Sequence, residues 1–153
     1  MPGWLKALLI IAAVVVLLIV AVIGILIGAA SYGWRAALRA GNEAATMQDL
    51  KTIAAVEIQY YNSHKRAFGT FDQMVQEKLL STKLSGNPPI VDGYIFTLKV
   101  IPKSVTQPTS YTLNADPQSE SSGNSHFYLD STDGTIRVNS AQRASASDPE
   151  LGG

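Results

Sequence analysis

The residues from Ala7 to Ala30 form an uninterrupted run of 24 alanine, valine, leucine, isoleucine and glycine residues, without a charge or a side-chain hydrogen-bonding group. A helix of this length rises roughly 36 Å, because each residue adds about 1.5 Å. The hydrocarbon core of a bilayer is about 30 Å thick, so such a helix crosses it with some tilt. The run therefore predicts a transmembrane helix over about residues 7–30, with the lipid bilayer as a partner.

Aromatic and basic residues flank this run on both sides, as they do at membrane–water interfaces. Trp4 and Lys6 precede the run, and Trp34 and Arg35 follow it. We expect these four residues to act as interfacial anchors, so that residues 1–34 form the membrane anchor. Lys6 and the terminal amine oppose Arg35 and Arg39 across the span, so charge alone favours neither orientation.

A cleavable secretory signal is the alternative for the same segment. Gly28, Ala29 and Ala30 form a small-residue cleavage site before Ser31. The apolar core of a signal peptide is about 7–15 residues long, and the run here is longer, at 24 residues. The length therefore favours an anchor that is retained.

The overall composition limits the class of function. The chain has 153 residues, of which 12 are basic, 12 are acidic and none is cysteine. A net charge of zero gives no whole-chain attraction to nucleic acid, so no nucleic-acid partner is expected. The absence of cysteine excludes disulfides, thiol catalysis and thiolate metal ligands.

The helix is predicted to continue beyond the membrane. From Arg35 to about His64 the sequence contains no proline, and apolar residues recur at spacings of three and four, which is the period of an amphipathic helix. Glu57 lies at the edge of the apolar face and is expected to be an exposed partner for a lysine or arginine. The apolar face consists of Ala40, Ala44, Met47, Leu50, Ala54, Ile58 and Tyr61.

The rest of the chain predicts a second helix and several strands. Thr70 and Gln73 fit a capping box at the start of a short helix. The apolar period then changes to two, which predicts strands over about 94–101, 111–115, 126–130 and 135–138. Asp133 and Gly134 predict a hairpin between the last two strands, because glycine readily adopts a positive φ.

Together these elements predict an α+β fold. A long N-terminal helix, with a transmembrane half and an amphipathic half, would pack on a small antiparallel β-meander. The folded domain is expected over residues 35–140. A small, polar segment over residues 141–153 is expected to be a flexible tail.

In this order the elements resemble those of the type IV pilin and pseudopilin family. Residues 17–26 are similar to the hydrophobic stalk, residues 39–45 and 50–53 to the exposed continuation of the helix, and residues 127–137 to the final hairpin. The resemblance implies a structural role in the bacterial inner membrane with an extracytoplasmic domain, in the periplasm or at the cell surface. It also implies association with other pilin-like subunits through the N-terminal helix.

Two signatures of that family are missing. With the stalk aligned on Gly24, the glycine of the prepilin cleavage point falls on Ile10 and the glutamate of the mature chain on Val15. Cleavage after Gly3 would instead place the glutamate position on Leu8. Two interpretations stay open: a minor subunit of a type IV pilus or type II secretion pseudopilus, or a non-polymerising single-pass protein whose extracytoplasmic domain binds a protein or a ligand.

Gly24 and Gly28 form a small-xxx-small pair in the apolar run. Such a pair lets two membrane helices approach closely, although glycine is also common in membrane helices that do not associate. Two interpretations of this pair therefore stay open: a site of helix packing, or glycines without a packing role.

The remaining polar residues predict neither an enzyme nor a cofactor. His64 and His126 are the two histidines, and no third group marks a metal site or a catalytic triad beside either of them. Several acidic residues of the later loops match no calcium-binding loop and are expected to be solvated turn residues. These are Asp116, Glu120, Asp130 and Asp133.

Overall fold

The computed structural model describes residues 2–152, apart from the side chains of Leu5, Ala7, Ala30 and Ser31. The side chains at both predicted ends of the span, Ala7 and Ala30, therefore lie outside the described residues, as do the two terminal residues of the chain. Contacts divide the chain into two compact units, one ending at Ala37 and the other beginning at Leu38. This boundary falls three residues after Trp34, the predicted end of the anchor.

A single helix, α1, extends over Gly3–Ser63 and contains 61 residues. It has no proline, which would remove a backbone hydrogen bond and clash with the preceding turn. The prediction that the helix continues past the apolar run is confirmed. In the first unit, every side chain that the structure describes is exposed.

In the second unit, one face of α1 is buried. Leu50 and Ile53 are 0% exposed and belong to one hydrophobic cluster with the inward side chains of the sheet. Thr46 and Glu57 lie on the same face and are also 0% exposed, whereas Ile58, predicted to lie on this face, is 60% exposed. The buried face is therefore rotated by part of a turn from the predicted one, and the predicted face was wrong to that extent. The prediction followed apolar periodicity alone, which does not detect the two buried polar residues.

A short helix, α2, extends over Phe71–Gln76. Its predicted capping box is confirmed, since the Gln73 N–H donates to Thr70 Oγ1 at 3.3 Å and the Thr70 N–H donates to Gln73 Oε1 at 2.9 Å. These two bonds satisfy backbone donors that the first turn of a helix leaves without partners. Phe71 and Met74 are buried on the inner side of α2.

The remaining elements are a 3-10 turn and a five-stranded antiparallel sheet, whose strand order follows the sequence. The turn is Thr82–Leu84, and the strands are β1 Ile90–Val91, β2 Tyr94–Ile101, β3 Ser110–Pro117, β4 His126–Asp130 and β5 Arg137–Asn139. The α+β class and the antiparallel meander are confirmed. The sequence did not predict β1, because two residues are too few to show a period of two.

Alternate residues of the central strands point into the core. Phe96 pairs with Ala115, and Ala115 pairs with Phe127. Two residues away along the same strands, Leu113 pairs with Leu129. The side chains of all five of these residues are at most 1% exposed. Because successive side chains of a strand point to opposite faces, this alternation gives the sheet one apolar side.

The last hairpin turns at Gly134, whose φ is 67°, as the Asp133-Gly134 pair predicts. The strand after it begins at Arg137, two residues later than Thr135, where the period-two pattern placed it.

The tail contacts the sheet, which the prediction of a flexible segment over residues 141–153 did not anticipate. The Leu151 N–H donates to the Ile136 carbonyl at 2.8 Å. Ala144 is 4% exposed, and its carbonyl accepts a hydrogen bond from Asn114 Nδ2 at 2.8 Å. The backbone of the tail therefore pairs beside β5, an arrangement that a small, polar composition does not reveal.

Removing the Thr70 hydroxyl is expected to destabilise the second unit. Thr70→Ala deletes one acceptor of the capping box, and such a loss lowers the free energy of unfolding by about 1 kcal/mol. Thr82→Ala removes an exposed hydroxyl and is the matched control. Urea unfolding of the full chain in neutral detergent micelles, followed by near-ultraviolet circular dichroism, measures both variants. Equal unfolding midpoints for Thr70→Ala and the unchanged protein would contradict the role of the cap.

Candidate functional site

The apolar part of α1 is exposed on all sides. Among the described residues, one helix, near the N-terminus, is long and apolar enough to cross a membrane, and the apolar window that meets this test is 0% buried within the chain. Full exposure is typical of a lipid-facing helix and not of a core helix in a water-soluble domain. A signal sequence would show the same exposure, so that alternative stays open.

The four residues predicted to be interfacial anchors all lie on α1 and are all exposed. Trp4 and Lys6 stand before the apolar run, and Trp34 and Arg35 stand after it. Trp4 is 65% and Trp34 is 67% exposed. Their positions on the helix agree with an interfacial role, which stays a prediction.

Gly24 and Gly28 lie one helical turn apart on α1. A Cβ added at either position would meet no neighbouring atom within 4 Å. The packing of this chain on itself therefore does not require glycine at either position. Close approach of a second membrane helix would be a reason for glycine at these two positions.

The structure corrects the prediction for Glu57, which was expected to be exposed. Glu57 is 0% exposed, and its Oε2 accepts a hydrogen bond from the Gly69 N–H at 2.9 Å. Its Oε1 is buried and has no hydrogen-bond partner among the described residues. Burial raises the pKa of the Glu57 carboxyl from 4.5 to about 7, because the loss of hydration outweighs the lowering effect of the Gly69 hydrogen bond.

A signal for this buried carboxylate was present in the sequence. Leu50, Ile53, Glu57 and Tyr60 follow the helical spacing of three and four, and all are at most 5% exposed. The apolar members of this set define the buried face, and Glu57 falls between them. We missed the residue because an acidic side chain is seldom fully buried without a charged partner.

The Glu57 carboxylate holds the loop between α1 and α2. Gly69 comes so close to its neighbours that an added Cβ would lie 3.0 Å from Met74 Cγ and 3.0 Å from Tyr60 Cδ1. Only glycine allows this approach without displacement of those side chains. The loop therefore depends on a glycine that fits and on an acceptor that reaches its N–H group.

His64 supports the same loop from outside. The sequence placed it at about the end of the predicted helix. In the structure it follows the last residue of α1, its ring stacks on Tyr60 with centroids 3.8 Å apart, and its Nε2 lies 2.9 Å from Glu77 Oε1. Its contacts are those of a structural residue.

The other histidine belongs to a different part of the second unit. His126 lines a groove of about 450 Å³ together with Arg39 and residues of the loop after β3. Its Nδ1 lies 2.7 Å from Asp116 Oδ1. The two histidines thus have separate acidic partners and do not form one site. Sequence reasoning gave no sign of this groove, because its walls come from three separate segments of the chain.

The acidic residues considered for calcium have local roles in the structure. Asp130 accepts hydrogen bonds from the Tyr128 hydroxyl and the Thr132 N–H, and Asp133 accepts one from the Thr135 N–H. The prediction of a solvated turn residue is confirmed for Asp133, which is exposed, and was wrong for Asp116 and Asp130, which are partly buried residues of β3 and β4. Between residues 2 and 152, no group of three or more histidine or acidic side chains is arranged to hold a metal.

Comparison with protein-family profiles, with curated proteins and with solved structures gives no match for this chain. The likeness to pilins therefore rests on the sequence pattern and on the order of the elements.

Replacing Glu57 is expected to change how stability depends on pH. The folded protein holds a proton on Glu57 up to about pH 7, whereas the unfolded chain releases it near pH 4.5. The contribution of Glu57 to the free energy of unfolding is therefore greatest at low pH and is lost as the pH rises through 7. Between about pH 5 and about pH 8, the free energy of unfolding of Glu57→Gln should rise relative to the unchanged protein by roughly 2–3 kcal/mol.

Urea unfolding of both proteins at several pH values measures this difference. Taking the difference removes the titration of other groups, and the pKa of neighbouring Tyr111 is raised to about 12, outside the range. Glu120→Gln, at an exposed carboxylate, is the control and should give a constant difference. A constant difference for Glu57→Gln as well would show that folding does not raise the pKa of Glu57.

An added methyl group at Gly69 is expected to destabilise the loop. Gly69→Ala forces Met74 or Tyr60 to move, and overpacking of this kind lowers the free energy of unfolding by about 1–3 kcal/mol. Gly41→Ala is the control with the opposite sign, since its Cβ would meet no atom and alanine favours a helix over glycine by about 1 kcal/mol. Thermal unfolding measures both, and a stabilising Gly69→Ala would refute the close approach.

Proposed function

We propose that this protein is a membrane-anchored, pilin-like structural protein of a bacterial envelope. It would be a minor subunit, or a relative, of type IV pilus or type II secretion pseudopilus components. The observation that carries this proposal is the helix α1, which has an exposed apolar half followed by a half whose inner face packs into the core of an antiparallel meander. The sequence resemblance to pilins involves the same elements in the same order.

Transfer of the apolar half from water into lipid supports the anchoring step. Each large aliphatic side chain stabilises the transferred state by about 1.5–3 kcal/mol. A helix satisfies its own backbone hydrogen bonds, so no polar backbone group is left without a partner in hydrocarbon. We place the protein in the inner membrane as a single-pass protein, with its second unit outside the cytoplasm. This orientation follows from the resemblance, because the flanking charges are balanced.

Assembly with other pilin-like subunits would take place between apolar helices. Lipid and helix surfaces are similarly apolar, so packing and not the hydrophobic effect would drive the contact. The Gly24–Gly28 surface allows the backbones to approach closely. The mechanism is mechanical, without a chemical step and without a cofactor.

The alternative is a non-polymerising single-pass protein whose second unit is a binding module. Two observations favour it: the absence of the cleavage glycine and the mature-chain glutamate, and the groove beside Arg39. Under this alternative the anchor would keep the binding module at the membrane surface and would form no filament.

Two measurements on native protein separate these possibilities. Alkaline carbonate should leave the protein in the membrane pellet, and its release would end both proposals. Intact mass and N-terminal sequence should then show whether the chain is processed. A terminus at Trp4, with the protein in filaments sheared from cells, supports a filament subunit. A terminus at Met1, with all of the protein in membranes, supports the tethered module, and a terminus at Ser31 would show a cleaved signal.

Blocking the small-residue surface is expected to reduce self-association in membranes. Gly24→Leu with Gly28→Leu fills the space that a second helix would use, and a loss of about 1–2 kcal/mol corresponds to roughly 5- to 30-fold less dimer. Val22→Leu, about 200° around the helix from Gly24, leaves the surface unchanged and is the control. Cross-linking at matched expression measures the dimer, and unchanged cross-linking in the double variant would exclude this face.

A further inference from the structure

The groove beside Arg39 contains a cation without a counter-ion. Arg39 is partly buried, and its Nε is inaccessible to solvent and has no hydrogen-bond partner in the part of the chain that the structure describes. No carboxylate oxygen of residues 2–152 lies within 4.0 Å of its guanidinium nitrogens. Partial removal of a cation from water is unfavourable unless an anion or several acceptors replace the water.

The carboxylate one helical turn further along α1 is already engaged. Glu43 Oε1 accepts hydrogen bonds from the backbone N–H groups of Asn124 and Ser125, at 2.8 and 3.2 Å. Glu43 Oε2 accepts a third hydrogen bond from the Ser125 hydroxyl at 3.1 Å. Glu43 therefore fixes the loop before β4, and Arg39, which lines the groove, does not have this carboxylate as a partner.

A second donor on the groove wall is held in place. His126 Nδ1 lies 2.7 Å from Asp116 Oδ1, and Arg143 Nε lies 3.4 Å from Asp116 Oδ2. A carboxylate that accepts the Nδ1 proton fixes the orientation of an imidazole ring, and Nε2 donates a hydrogen bond when both ring nitrogens carry protons. Nε2 is then the ring nitrogen that is left to bind another group.

We propose that this groove binds a phosphate group, held by the Nη atoms of Arg39 and by Nε2 of His126. The planar guanidinium places two N–H donors in the fork that an oxyanion accepts. A phosphate has oxygens left for the imidazole and for a hydroxyl such as that of Ser119 or Ser140, which also line the groove. A carboxylate has only two oxygens and would bind more weakly. Free phosphate and the headgroup of an anionic phospholipid share this chemistry.

Glu120 also lines the groove and is exposed. Its carboxylate would repel a phosphate, and solvent weakens that repulsion. The proposal therefore requires that neutralising Glu120 strengthens binding, whereas neutralising Arg39 weakens it.

Titration of the full chain in zwitterionic detergent micelles with inorganic phosphate tests the site. The Nε–H resonance of Arg39 and the ring resonances of His126 in NMR spectra should shift in a saturable way, with a dissociation constant in the millimolar range. Acetate at equal ionic strength should bind several-fold more weakly. A shift that is linear in phosphate concentration, or one that acetate reproduces fully, would overturn the proposal.

Variants make the test specific to the groove. Arg39→Gln should weaken binding at least tenfold, Arg39→Lys should weaken it by a smaller factor, and Glu120→Gln should strengthen it. Arg66→Gln, an exposed site outside the groove, is the control and should leave it unchanged. Equal binding by Arg39→Gln and Arg66→Gln would reject the site, and Arg39→Lys keeps the positive charge if the glutamine variant unfolds.

Bilayer nanodiscs distinguish the two sources of phosphate. If a lipid headgroup is the natural occupant, nanodiscs that contain phosphatidylglycerol should shift the Arg39 and His126 resonances without added phosphate, and phosphatidylcholine nanodiscs should not. If free phosphate is the occupant, neither lipid shifts them and added phosphate does so in both. Absence of a shift under all of these conditions would refute phosphate binding.

Discussion

A sheet with one apolar side is stable in water only when that side is covered, and the second half of α1 provides the cover. Leu50 and Ile53 share one cluster with Phe96, Leu113 and Phe127, and all of these side chains are at most 1% exposed. Without this part of α1, the inner side of the meander would face water, and the sheet would lose most of its buried apolar area. The helix therefore cannot end where its apolar run ends. Its continuation is part of the core of the second unit, and α2 and the tail cover parts of this core that α1 does not cover.

The same cover contains an ionisable group that works against burial, the carboxylate of Glu57. A buried carboxyl group without a cation is unfavourable in its charged form, which is why its pKa rises to about 7. The chain returns beneath the end of α1 after Ser63, and the close approach at Gly69 removes a backbone N–H from water. That donor needs an acceptor, and Glu57 reaches it at 2.9 Å. An apolar residue at position 57 would improve the packing of the helix and would leave the N–H group without a partner.

Much of the fold was predictable, because local rules and tertiary packing agree in most of the chain. Alternation identified the long strands, Thr70 and Gln73 identified the start of α2, and the lack of proline identified the continuation of α1. The failures have a common cause: interactions between segments distant in sequence. Glu57 is buried because of a loop twelve residues later, and the tail forms hydrogen bonds beside β5 and with Asn114. The groove beside Arg39 joins three segments, so neither composition nor periodicity contains information about it.

If α1 lies in a bilayer as proposed, its apolar half contributes little to the choice of partner. Association of helices in lipid depends on packing and on hydrogen bonds between side chains, and residues 7–30 have no side chain that forms hydrogen bonds. The proposed pilin alignment puts the glutamate position on Val15, or on Leu8 with cleavage after Gly3, so a charge pair cannot set the register of one helix against another. Gly24 and Gly28 then determine only how closely two helices approach. Selection of a partner must come from polar groups that water or a headgroup can reach. In the second unit, Arg39 is such a group: it is partly buried, and no carboxylate of residues 2–152 lies within 4.0 Å of its guanidinium nitrogens.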